Sequence, residues 1–550
     1  MKTKKFLSLL LVSIFTFTAI SNTTALANAI NPNEITLIES PNWWMRPILW
    51  QEDLEQFRDA VLQSHPRFWD DTEIFLPGEL LNQESWGQDI WNELQLNLQI
   101  REDFLTAMDE LISNINVLSD FEIFSEARRA ANIISDSHFT FQLSGEIYDT
   151  RFPLGLRFLG GDNGHFYLLS TTEPFAQALN HRLLYINDIP IDEIIETYSK
   201  IGMHENRFEM RYRLSTRLTQ PLYLAALGLY NDNQTKFTFG NVNDLYTLEI
   251  TLTADDTIVY ENNPSTELEF LATLPMQNRN DGEIPRFLRR KGHNTFEIFE
   301  EKGLLYIVLE MMITNDQMIP DFDRDTSPFI LRFNEEEWGA GLVESAQKIL
   351  ENISDYTDDD VFAWESNFII HPDIIEAVEQ GIVNTVIIEG RGNGGGTISH
   401  FLSLYTFLQD NIEDGRLFYF TDGGSFSAGS VTAVVLSYLG FTIVGEPAGQ
   451  NTIFHGTNAL IVEDRPFNHT LNHSEIYVRV PNSLASLESN TTHYLGRLGT
   501  SAENFLEKFP DFEFYAVFPE IEILLTLDNW INNEDPVLNY VIDKLNLLEN

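Results

Sequence analysis

The sequence has 550 residues, 83 acidic and 34 basic, for a formal net charge of −49, and it contains no cysteine. A surface this acidic repels nucleic acid and anionic membranes, so neither is an expected partner. Without cysteine there are no disulfides, thiolate nucleophiles or cysteine-bound metals, and covalent chemistry falls to Ser, Thr, Lys or a carboxylate.

At the N-terminus, MKTKKFLSLLLVSIFTFTAISNTTALANA (1–29) sets three lysines before an apolar stretch and small residues. This is the layout of a secretory signal peptide, cut after Ala25-Leu26-Ala27 or Ala27-Asn28-Ala29. The rival reading is a retained anchor, but the stretch is short for a span of about 20 residues. Removing Lys2, Lys4 and Lys5 leaves 31 basic against 83 acidic residues, or −52, and the mature chain is expected outside the cytoplasm. The apolar run at 431–445 is too short to span and is interrupted by Ser437, Tyr438 and Gly440, so no stable membrane insertion is expected. The acidic runs, 335–337 and 358–360 among them, read as solubilising surface.

Residues 45–142 read as an N-terminal helical domain. WQEDLEQFRDAVLQSHP (50–66), QLNLQIREDFLTAMDELISNI and FEIFSEARRAANII repeat apolar residues at three and four, with Asp53 and Asp103 near expected starts and Pro66 ending the first helix. Residues 150–290 are mixed: GHFYLLST, RLLYIND, KFTFG and YTLEITLT predict strands, and 191–200 and 221–229 predict helices. From 296 to 548 the pattern becomes strand, helix, strand. KGLLYIVLEMM (302–312), NTVIIEG (384–390), RLFYFTD (416–422) and FTIVGE (441–446) alternate with helical stretches at 397–411 and 428–439. This predicts an α/β, multi-domain chain whose last part is a parallel sheet covered on both faces, with an acidic insertion at about 320–372.

Three stretches carry candidate chemistry. TDGGSFSAGS (421–430) ends a strand, turns on glycines and starts a helix after Ser427, aiming the Ala428 N–H at any anion formed there. A serine at a helix start is more often simply an N-cap. EGRGNGGG (389–396) again lies between strand and helix, and its glycines suit an oxyanion hole or simply a flexible turn. It lacks the lysine of a nucleotide-binding P-loop. SDSHFTF (135–141) places His138 between a helix and an apolar run, one of twelve histidines in the chain.

Taken together these stretches resemble the tail-specific, C-terminal-processing serine peptidases and their tricorn-type and retinoid-binding relatives. DSH (136–138) is similar to the family's Asp-x-His, and EGRGNGGG to its Asp-x-Arg-x-Asn-x-Gly-Gly, with Glu389 for Asp. SFSAGS followed by FTIVGEPAG resembles the nucleophile helix and next strand. EFYAVFPEIEI (513–523) resembles Glu-x-x-Gly-Val-x-Pro-Asp, with Ala516 and Glu520 for Gly and Asp. The resemblance covers about 45–142 and 296–548. One branch of the family uses a Ser–Lys dyad, with lysine just after the Gly-Glu of the following strand. Here GEPAGQNTIFHG has none, and no lysine occurs between Ser427 and Lys508.

The tricorn-type resemblance therefore implies Ser427 as nucleophile, His138 as its base, Ser137 and Glu513 as supporting residues, and Gly395 or Gly396 with Ala428 as oxyanion donors. It also implies a crotonase/ClpP-like α/β core and a degenerate PDZ-like piece at 182–200, within the 150–290 region. The substrate expected is a protein or peptide, with no cofactor and no metal. His204-Glu205 opens HENRF, but a zinc-protease pattern needs histidine where Phe208 stands. An α/β-hydrolase esterase would want G-x-S-x-G, one residue out of register here, with His455 or His493 as its base. The competing class is a binding protein that kept the scaffold without catalysis.

Overall fold

The computed structural model describes residues 36–38, 44–68, 84–143, 150–230, 233–241, 246–259, 274, 294–310, 312, 372–396, 398–451, 454–456, 468–481, 483–485, 504, 507–509 and 516–545. The signal segment, residues 320–371 of the acidic stretch, Glu513 and His493 lie outside them. Among the described residues no helix is long and apolar enough to cross a membrane.

Among the described residues the first elements are helices α1 (Arg46–Ser64), α2 (Glu84–Asn114) and α3 (Asp120–Ile133), then strand β1 (Thr140–Gln142). Strands β2 (Leu154–Leu159), β3 (His165–Thr171) and β4 (Arg182–Ile186) follow, with helices α4 (Ile191–Tyr198), α5 (Arg207–Arg217) and α6 (Pro221–Ala226). Strands β5 (Gln234–Gly240) and β6 (Thr247–Thr253) complete the middle, and β7 (Thr295–Phe299) and β8 (Leu304–Val308) begin the last part. It continues through α7 (Pro372–Glu379), β9 (Thr385–Glu389), α8 (Leu402–Asn411), β10 (Leu417–Thr421), α9 (Ala428–Tyr438) and β11 (Thr442–Gly445). Strands β12 (Asn468–Thr470), β13 (Tyr477–Arg479) and β14 (Ile521–Glu522) and helix α10 (Pro536–Lys544) close it.

The central sheet runs β7-β8-β9-β10-β11-β14, antiparallel only between β7 and β8 and parallel elsewhere. Its four middle strands are the four apolar runs of the sequence. Every residue of β9 and β10 is buried, because both faces are covered and neither can carry an alternating polar side. One face, with Leu305, Ile307, Val386, Ile388 and Tyr419, packs on α7, α8 and α9. The other, with Tyr306, Ile387, Phe418 and Phe420, packs on Val537 and Val541 of α10.

A second apolar core binds α1, α2 and α3 around Trp50, Phe57, Phe104 and Phe124. Helix α3 starts with a capping box, Ser119 Oγ accepting the Glu122 N–H while the Glu122 carboxylate accepts the Ser119 N–H. The starts expected at Asp53 and Asp103 are not helix ends. Helix α1 begins at Arg46 with a proline in its first turn, where a missing N–H costs nothing. Asp53 is instead fully buried in mid-helix and accepts the backbone N–H groups of His473 (3.0 Å) and Ser474 (2.7 Å). Those residues form the turn joining β12 to β13, which pair with β1 in a three-stranded sheet against the helices. The middle region is an antiparallel sheet, β2-β3-β4-β5-β6, with its own core.

Candidate functional site

Three loops follow the C-terminal ends of the neighbouring parallel strands β9, β10 and β11, and they converge, as crevices at that edge of an α/β sheet commonly do. Asp422, at the end of β10, fixes the first two. Its buried carboxylate accepts the N–H of Gly392 (2.7 Å) and of Gly424 (2.9 Å), and Arg157 reaches it at 3.3 Å. Asn393 adds a second tie: its side chain donates to the Leu309 carbonyl and its own carbonyl accepts the Phe426 N–H, both at 2.8 Å.

Ser427 sits at the corner between β10 and α9 with φ +52° and ψ −124°, a conformation that side-chain-bearing residues rarely hold. Its hydroxyl makes no capping bond to α9, so the N-cap role is not what it does. It points instead at His138, whose Nε2 lies 3.0 Å from Ser427 Oγ. His138 arrives from the turn between α3 and β1. Its backbone N–H donates to Asp136 (2.8 Å), which also meets His65 Nε2 at 3.1 Å in a buried pair. The Phe426 ring packs against the imidazole with centroids 4.6 Å apart, and the Arg213 guanidinium covers the ring from 5.1 Å.

The glycine loop presses on the nucleophile. Gly395 has φ +94°, and a Cβ there would stand 2.5 Å from Ser427 Cβ, so the approach requires glycine. Its N–H, expected as an oxyanion donor, is taken by Asn393 Oδ1 at 2.8 Å. Gly396, exposed at φ +136°, and Ala428, at the first position of α9, are left as the backbone candidates. Glu389, where the resembling motif has Asp, is fully buried. It forms a charge cluster with Arg391 and Asp535, joined by the Tyr306 hydroxyl at 2.9 Å. The longer side chain keeps the loop anchored by wrapping around Arg391, which donates to it from Nε at 2.8 Å.

Ser137 Oγ donates to Glu205 at 2.7 Å. Glu205 is thus the carboxylate partner of Ser137 among the described residues, and Glu513, expected beside it, lies outside them. The Glu205 carboxylate also accepts from Gln450 Nε2 (3.1 Å) and the Asn451 N–H (3.2 Å). Burial pushes the Glu205 carboxyl well up, and the neighbouring Asp136 and Glu209 charges push the same way. Burial likewise raises Glu209 to about 7, against the pull of Arg213, its ion-pair partner at 2.7 Å. Gln450 completes the group. Its Oε1 accepts the Ser427 N–H, and its Nε2 lies 3.1 Å from His138 Nδ1 and 3.4 Å from Ser137 Oγ.

Neither Glu205 nor Gln450 was singled out from the sequence. Glu205 entered only as part of a failed zinc pattern. Gln450 had a signal, since it stands in the GEPAGQ stretch where the dyad branch carries lysine. Asp136, His138 and Glu205 carry ligand atoms within 4.8 Å of one another, the only such group among the described residues. Their oxygens are already committed to His65, Ser137, Gln450 and backbone N–H groups, so no metal is assigned there.

Solved structures of peptidases resemble the chain. A photosystem II D1 C-terminal processing protease shares 12% identity, covering 86% of this chain and 93% of that one, with a TM-score of 0.31. An S41 protease from Bacteroides fragilis shares 10%, covering 92% and 98%, with a TM-score of 0.30. A structure described as a peptidase from Parabacteroides merdae shares 11%, covering 65% and 89%, with a TM-score of 0.23. No family model and no curated protein matches the sequence.

Proposed function

We propose that this protein is a serine peptidase that works through an acyl-enzyme on Ser427, with His138 as general base. The observation that carries the reading is the 3.0 Å contact between His138 Nε2 and Ser427 Oγ, held at a strained strand-to-helix corner. Ser427 Oγ attacks the peptide carbonyl while its proton passes to His138 Nε2. The Gly396 and Ala428 N–H groups receive the oxyanion, the amine leaves with that proton, and water hydrolyses the ester by the reverse route.

The tricorn-type assignment belongs to the same reading, with Glu205 in the supporting role beside Ser137. So do the crotonase-like core, supported by the parallel run β8 to β14, and the PDZ-like piece, supported by β4 followed by α4. The domain division and export after removal of residues 1–29 are proposed with it. The test is a serine-directed phosphonate followed by mapping of the labelled residue, with turnover of unstructured peptides measured beside it. Ser427 is the expected site, and Ser427→Ala should lower kcat by about 1,000-fold or more with an unchanged melting profile. Label on another serine, or full turnover by the variant, overturns the reading. Turnover of esters but not peptides moves it to an esterase.

A further inference from the structure

Gln450 holds His138 in the wrong protonation pattern for a base. An amide nitrogen only donates, so the 3.1 Å contact from Gln450 Nε2 makes His138 Nδ1 an acceptor. A neutral imidazole carries one proton, which must then sit on Nε2 and point at Ser427 Oγ. In that tautomer Nε2 has no lone pair to take the serine proton.

Turning the amide over does not rescue the arrangement. Gln450 Oε1 accepts the Ser427 N–H, and Nε2 donates to the Glu205 carboxylate at 3.1 Å. A flip would set NH2 against the Ser427 N–H. That backbone group can only donate, and it fixes the orientation of the amide. Ser137 Oγ, already donating to Glu205, lies 3.4 Å from the same Gln450 nitrogen.

We propose that Gln450 is a latch, a positioning residue that keeps Ser427 and His138 in contact but unable to react until substrate displaces its side chain. Withdrawal lets His138 release the Nε2 proton to water and take one up at Nδ1, with no net change in charge. The Nδ1–H then donates to Ser137 Oγ, whose own hydrogen goes to Glu205, and Nε2 is free to act as base. The inference rests on the reading of Ser427 and His138 given above, and it adds a resting state that the two residues alone do not have.

The test is nitrogen-15 NMR of the histidine side chains in the full chain, with His138 assigned by its loss in His138→Ala. Wild type without substrate should show His138 protonated at Nε2. Gln450→Met keeps the length and removes the donor, and it should shift His138 toward the Nδ1–H form. Phosphonate labelling of Ser427 should then be about fivefold faster, the effect of losing one net hydrogen bond. If the methionine variant does not fold, Gln450→Glu can accept from both Ser427 N–H and His138 Nδ1–H and should show the same tautomer shift. An Nδ1–H tautomer in resting wild type overturns the proposal, as does labelling of a folded Gln450→Met that is unchanged or slower. The tautomer is read without turnover, so it stands or falls separately from the assignment of Ser427, which Ser427→Ala tests.

Discussion

Glu205 accepts the Ser137 hydroxyl at 2.7 Å, joining a loop before α5 to the residue that precedes His138. If this pair supports the imidazole during proton transfer, its loss should act on the chemical step. Glu205→Gln and Ser137→Ala are each expected to lower kcat by about 10- to 100-fold and to change KM little. The double variant should be little worse than either single one, because the two act as a unit. Steady-state kinetics on a peptide substrate checks all three.

The glycine loop offers a paired test. Gly395→Ala places a methyl 2.5 Å from Ser427 Cβ on a backbone at φ +94°, so the corner or the loop must shift. A fall in kcat of about 100-fold or more is expected, with a stability loss of about 1–3 kcal/mol. At Gly394 the same methyl meets nothing within 4 Å, and Gly394→Ala should retain near-normal turnover and melting. Equal effects at the two positions would refute the account of the close approach.

Arg391 neutralises two buried carboxylates, Glu389 and Asp535, and Asp535 also caps α10 by accepting from Val537 and Leu538 at 3.2 Å. Arg391→Met leaves both anions without their cation. The expected loss is about 3–5 kcal/mol, the cost of stranding buried charge, read from the denaturation midpoint. Much of the fold's last part should respond, since the cluster ties β9 to the helix that covers the sheet.

Glu209 gives stability a pH dependence of definite sign. Its carboxyl is raised from 4.5 to about 7, so the folded protein holds that proton more tightly than the unfolded chain. The contribution is complete below about 4.5 and is lost as pH rises through about 7. Glu209→Gln removes this slope. Relative to wild type, the variant should be more favoured at pH 8 than at pH 5, by about 1–3 kcal/mol. Thermal melts of both proteins at the two pH values measure it. A difference of the opposite sign would show that the Arg213 ion pair outweighs burial.

The central sheet was legible because strands buried on both faces must be apolar at every position, and KGLLYIV, NTVIIEG and RLFYFTD leave little else to be. Ser427 was legible because a strand, glycines and a helix follow one another within ten residues. Glu205 and Gln450 were not, since each meets its partners across long separations and neither lies on a periodic face. Asp53 misled for a related reason. An acidic residue in a helical stretch reads as a start signal, whereas its partners are backbone N–H groups some 420 residues away. Such pairings follow from how cores dock, which no local pattern records.

Phe139, next to His138, and Ala428, next to Ser427, lie in different cores, and the first of these takes in Leu471, Ile476, Val478 and Val480 from beyond the nucleophile. Strand β1, directly after His138, has β13 as its sheet partner. A growing chain that has already made both residues therefore still lacks the strand that braces the histidine. Assembly of the pair is therefore expected to wait for residue 480, and a chain truncated before it is expected to carry the two side chains without the contact. Completion of folding is what brings the two side chains together.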